Sequence, residues 1–110
     1  MRYSALIAAL VFILMPGKAL ADCSGVFCND VLVQRIVVSA TATSVRTSGD
    51  ETQLDCDPGT GLYLTMDNTD PEYNDSYALV LTAFVSGTPM TFRMESGTGP
   101  CTVSYVLQDR

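Results

Sequence analysis

Residues 71–86 read PEYNDSYALVLTAFVS, the one stretch beyond the first twenty-one residues with both the length and the spacing of a helix. Asp70 suits the cap, Pro71 the first helical position and Glu72 the positive end, while Gly87 ahead of Pro89 stops it. Tyr73, Tyr77, Val80, Leu81 and Phe84 recur at three- and four-residue steps and give one broad apolar face. Ala78, Leu79, Ala83 and Val85 extend that character round the cylinder. A helix this apolar is expected to be largely buried, against a sheet or against a second subunit.

The sequence on either side reads as strands. Residues 31–40, VLVQRIVVSA, are rich in β-branched side chains and too short for an ordinary helix. Residues 41–47 continue as a second, less amphipathic strand, and 48–51, SGDE, form a tight polar turn. Extended chain resumes at 53–56, Asp57-Pro58-Gly59 interrupts it, and 61–66, GLYLTM, alternates like a half-buried third strand. After the helix, 91–95 and 102–107 give two more strands around the flexible loop 96–100. The order strand, strand, strand, helix, strand, strand is that of an OB-fold, so the expectation is a mainly β chain with one helix, a five-stranded OB-like barrel.

Upstream, residues 1–21 carry a positive start at Arg2, an apolar run over 5–15 and the small-x-small ending Ala19-Leu20-Ala21. These are the parts of a cleavable export signal. The apolar run is about half of the roughly 20 residues that span a bilayer, and Pro16-Gly17 break a helix where a membrane anchor would have to continue. Leu20-Ala21-Asp22-Cys23 looks like a lipobox, but that pattern wants a small residue where Asp22 stands. The expectation is a signal peptide at 1–21, a single domain at 22–110, no membrane attachment after cleavage, and a periplasmic or secreted destination.

A domain of this size has a marginal core without covalent help. All four cysteines, Cys23, Cys28, Cys56 and Cys101, follow the cleavage point, which suggests a disulfide framework rather than a metal site. Four cysteines allow three pairings. The third and fifth strands of an OB barrel run side by side in one direction, which favours Cys56 with Cys101 and leaves Cys23 and Cys28 to close a short loop. The alternative sends one cysteine of the CSGVFC segment to the barrel.

Discarding the leader removes Arg2 and Lys18 and leaves four arginines against twelve acids, a formal charge of −8. Such a surface repels phosphate backbones and anionic membranes, so nucleic acid is not an expected partner. Without histidine or lysine the mature sequence offers no Ser-His, Cys-His or Ser-Lys nucleophile. Carboxylates remain, clustered at Asp67, Asp70, Glu72 and Asp75 and at Asp50, Glu51, Asp55 and Asp57. They read as helix caps and solvated turns, since a hydrolase needs one acid in an apolar pocket. Asp67-Asn68-Thr69-Asp70 offers oxygen donors to calcium but lacks the glycine and terminal glutamate of an EF-hand loop. No cofactor, metal or catalytic residue is expected.

Three side chains stand out for ligand binding. Tyr73 and Tyr77 have the chemistry to line a sugar or peptide site, against the commoner use of such tyrosines in a core with the hydroxyl at its edge. Arg93 lies mid-strand among apolar residues, where an ion pair with a carboxylate is the expected arrangement. Asn74-Asp75-Ser76 matches a glycosylation acceptor, relevant in a eukaryotic secretory host.

Three segments, VRTSGDETQLDC at 45–56, YALVLTAFVSGTPMTFR at 77–93 and GTGPCTVSYV at 97–106, resemble a family of small, mostly uncharacterised exported bacterial proteins. The shared pattern is a signal peptide, a Gly-Asp turn before Leu-x-Cys, an apolar helix ending in Ser-Gly-x-Pro, and a late Cys before Val-x-Tyr-Val. In architecture and in the passage 86–93 the chain is also similar, more loosely, to the pentamer-forming B subunits of bacterial toxins. These resemblances imply little about function. The residues themselves lead to the expectation of an exported, non-enzymatic binding or interaction module, with a glycan or a protein as ligand and a homo-oligomer among the expected states. A glycan-recognising toxin-B-like subunit is the alternative, and a carboxylate hydrolase stands third.

Overall fold

The computed structural model describes residues 22–110, so the leader read at 1–21 lies outside the described residues. The described residues are mainly β with one helix: β1 (Asp22–Ser24), β2 (Phe27–Val31), β3 (Val33–Val38), β4 (Ala42–Thr47), β5 (Leu64–Asp67), α1 (Tyr73–Ser86), β6 (Met90–Met94) and β7 (Val103–Leu107). Antiparallel ladders join β1-β2-β6-β7 into one sheet and β3-β4-β5 into another.

This corrects the expected five-stranded closed barrel to seven strands in two sheets. Two features account for the difference. The segment DCSGVFCND lacks clean alternation, yet it folds as the β1-β2 hairpin, with Gly25 at a φ of 62° in its turn. The apolar run expected as one strand at 31–40 is divided at Leu32, whose backbone leaves the first sheet and exchanges hydrogen bonds with Ser48. β2 ends in one sheet and β3 begins in the other. The sheets meet along β5 and β7 at an isolated parallel bridge, Thr65 with Thr102, where the Thr65 N–H donates to the Cys101 carbonyl at 2.7 Å.

The core fills the space between the sheets with Val31, Val45, Leu64, Met66, Met90, Phe92, Met94 and Val103. β4 supplies it by strict alternation, with Thr43, Val45 and Thr47 pointing inward, and β6 adds Met90, Phe92 and Met94 while Thr91 between them is also covered. Cys56 is bridged to Cys101 and Cys23 to Cys28. Two such bonds fit a non-reducing, extracytoplasmic environment. Gly49 is required by this packing, because a Cβ there would stand 2.7 Å from the Cys23 sulfur and 3.0 Å from Val31.

α1 begins two residues later than the sequence suggests. Pro71 and Glu72 lie in a turn held by the Asp70 carboxylate, which accepts from the Glu72 N–H at 2.9 Å. Gly87 ends the helix in the left-handed conformation at φ 70°, donating to the Ala83 carbonyl. The helix is less buried than its composition implied. Val80 and Ala83 are fully covered, Tyr73, Tyr77 and Leu79 partly so, while Leu81, Phe84 and Val85 face solvent. The third strand is also shorter than expected, because Gly59 and Leu62 take positive φ and fold 59–62 into a turn. Among the described residues no helix is long and apolar enough to cross a membrane.

Candidate functional site

The three singled-out residues do not form one site. Tyr73 and Tyr77 stack one helical turn apart, ring centroids 5.8 Å apart and planes within 12°. The Tyr73 hydroxyl bonds the buried Thr43 hydroxyl at 2.6 Å, which pins the start of α1 to β4. Tyr73 therefore serves the core, with its polar tip satisfied inside the fold.

Arg93 lies on the other sheet, facing outward from β6. The register sets Phe27 opposite Arg93 and Arg93 opposite Tyr105, so the three form one row across β2, β6 and β7. The guanidinium carbon is 5.7 Å from the Phe27 ring centre and 6.0 Å from that of Tyr105. Both are cation–π distances. One guanidinium nitrogen donates to the Met94 carbonyl at 3.2 Å. The expected ion pair is not formed: among the described residues Arg93 is held by aromatic faces and a backbone carbonyl. Several carboxylates of the two loop clusters instead bond within their own turns.

Those carboxylates order turns. Asp50 accepts from the N–H and hydroxyl of Thr52, Asp57 from the Gly59 N–H, and Asp67 from the N–H and hydroxyl of Thr69. The Thr52 hydroxyl, then its N–H, hold Asp50 below the usual aspartate range, and the Thr69 N–H, then its hydroxyl, do the same for Asp67. Among the described residues no three acids and cysteines are gathered to hold a metal ion.

Glu51 stands apart from the other acids. It is 1% exposed, in a 3-10 turn over Glu51–Gln53, and one carboxylate oxygen accepts from both the N–H and the hydroxyl of Thr47 at 2.8 Å. The sequence placed it in a polar surface turn. Its burial is structural, since both contacts close the loop between β4 and the 3-10 turn.

A second outward row was not visible in the sequence. On the three-stranded sheet Arg35 of β3 stands directly opposite Arg46 of β4. The ladder shifts between Val33 and Arg35, so that Val33 and Ile36 both turn inward and Gln34 and Arg35 both turn outward. Arg35 donates to the Tyr63 hydroxyl at 3.3 Å, and that hydrogen bond pushes the guanidinium further toward its charged form.

Concavities are shallow. A depression beside Asp67, Asp70, Tyr73 and Ser76 encloses about 10 Å³, room for roughly one water. A wide groove of about 630 Å³ runs between the end of α1, at Thr82 and Ser86, and the C-terminal residues Gln108 and Arg110. No protein-family model matches the chain, and no curated protein or solved structure proves similar to it.

Proposed function

We propose that this protein is an exported, non-enzymatic binding module carried on two antiparallel sheets and one helix. The observation that carries the reading is the row Phe27, Arg93, Tyr105 on the outer face of the four-stranded sheet. Tyr105 is 43% exposed, and tyrosine and arginine are the side chains that concentrate binding energy at recognition surfaces. A flat ring with a charged five-donor fork beside it suits a ligand that stacks and hydrogen-bonds at once, a saccharide foremost. The carboxylates in local turns and the missing histidine and lysine of the mature sequence support a role without catalysis.

The test is a glycan array probed with the protein and with Arg93→Ala and Tyr105→Ala variants. At least one binder is expected, with signal reduced about tenfold or more in either variant, the equivalent of about 1.4 kcal/mol. An array with no binder, or binding indifferent to both substitutions, rejects this face as the recognition surface.

Self-association is a second reading, favoured by α1. Leu81, Phe84 and Val85 are exposed on the helix, and Val37 and Val38 on β3, against which the helix packs. A second copy covering these side chains would complete the burial that the helix composition implies. Light scattering is expected to give a mass above the monomer at micromolar concentration, reverting to monomer in Phe84→Glu; a wild-type monomer at high micromolar concentration ends this reading.

A further inference from the structure

We propose that Arg35, Arg46 and Tyr63 form a binding site for an oxyanion, a carboxylate or phosphate group, on the outer face of the three-stranded sheet. The starting point is an electrostatic anomaly. Like charges directly opposite each other in a ladder destabilise it, and this chain sets two of its few cations in that arrangement. It does so with twelve acids available. Among the described residues none pairs with either guanidinium; the aspartates of the neighbouring loops, Asp50, Asp57 and Asp67, accept hydrogen bonds within their own turns.

The register places the three residues on one face of the sheet. Leu64 pairs with Val45, so Tyr63 lies beside Arg46 at the start of β5. Arg35 starts from β3, on the far side of β4, yet one of its guanidinium nitrogens reaches the Tyr63 hydroxyl. Its side chain thus crosses the strand that carries Arg46. Having accepted from Arg35, the Tyr63 hydroxyl keeps its own proton to donate outward. The Tyr63 ring lies against Gly61, where a Cβ would collide with it. In the adjoining row Ser44 of β4 pairs with Thr65 of β5, and both are partly exposed.

The site would therefore meet an anion with two guanidinium forks and a phenol, with two hydroxyls one row away. Bidentate guanidinium contacts match a carboxylate or a phosphate group. An anion held there removes the repulsion that the empty ladder carries. Nothing in the Phe27–Arg93–Tyr105 row takes part, so the two surfaces stand or fall separately.

The experiment follows the arginine side-chain N–H resonances of the disulfide-bonded protein during titration with inorganic phosphate, glucuronate and neutral glucose, at ionic strength fixed with chloride. Saturable shifts at Arg35 and Arg46 with millimolar affinity are expected from the anions, and none from glucose. Tighter binding of glucuronate identifies a carried group as the ligand, tighter binding of phosphate the free ion. Arg46→Gln is expected to weaken binding at least tenfold and Tyr63→Phe severalfold, while Arg110→Gln leaves it unchanged. Phosphate should raise the melting temperature of the wild type more than that of Arg46→Gln, which separates site binding from general salting effects. Shifts that rise linearly and equally at Arg35, Arg46, Arg93 and Arg110, or an Arg46→Gln variant that binds as well as wild type, overturn the proposal.

Discussion

Replacing Cys56 and Cys101 together by serine is expected to lower stability by about 4 kcal/mol, against about 2 kcal/mol for the Cys23, Cys28 double variant, on the loop-closure model. The difference arises in the unfolded chain. The first bond closes a loop with a sequence separation of 45 and the second a separation of 5. Native contacts act in the same direction. Cys23 and Cys28 face each other in a two-stranded hairpin that its own ladder already holds. Cys56–Cys101 instead lies where the two sheets approach, beside the Asp57–Gly99 and Thr65–Cys101 backbone hydrogen bonds. Urea unfolding of both double variants provides the comparison, and equal midpoints would show that the long loop is closed by other contacts.

Glu51→Ala should cost about 2–4 kcal/mol, a large effect for a residue in a polar turn. The substitution removes the acceptor shared by the Thr47 N–H and hydroxyl, and Thr47 is itself buried at the end of β4. Each buried donor left without a partner costs about 1–3 kcal/mol, and bonds to a charged acceptor lie at the upper end. Glu51→Gln keeps a carbonyl oxygen at the same reach and should lose less than half as much. Hydrogen exchange at the Thr47 amide gives the local readout: protected in wild type, fast in Glu51→Ala. A surface-like change under 0.5 kcal/mol would contradict the burial of this carboxylate.

The order of elements from Ala42 onward was legible because strong local signals mark it: alternation in β4 and β6, the apolar helix, and Gly87 after it. The N-terminal hairpin was not, since DCSGVFCND has neither alternation nor a β-branched run, and its strands form because the Cys23 and Cys28 side chains are buried. The bend at Leu32 leaves no trace in an apolar run that continues unbroken across it. Cross-strand partners were the least legible feature. Arg93 was singled out, but Phe27 reaches it from a strand far away in sequence and Tyr105 from the next strand only once the β6–β7 register is set, and Arg35 meets Arg46 only because a register shift turns two consecutive β3 residues outward.

The pairing of β2 with β6 also dictates a timetable. A chain delivered N-terminus first presents Phe27–Val31 long before Met90–Met94, so the four-stranded sheet cannot assemble until nearly the whole chain has emerged. Cys56 meanwhile appears with two earlier thiols as potential wrong partners. The short Cys23–Cys28 loop closes fastest and removes both from competition, leaving Cys56 to wait for Cys101. The weaker of the two bonds in equilibrium terms thus guards oxidation: the single variants Cys23→Ser and Cys28→Ser, which keep three thiols, should accumulate misbridged isomers, whereas the double variant has one pairing left and should not.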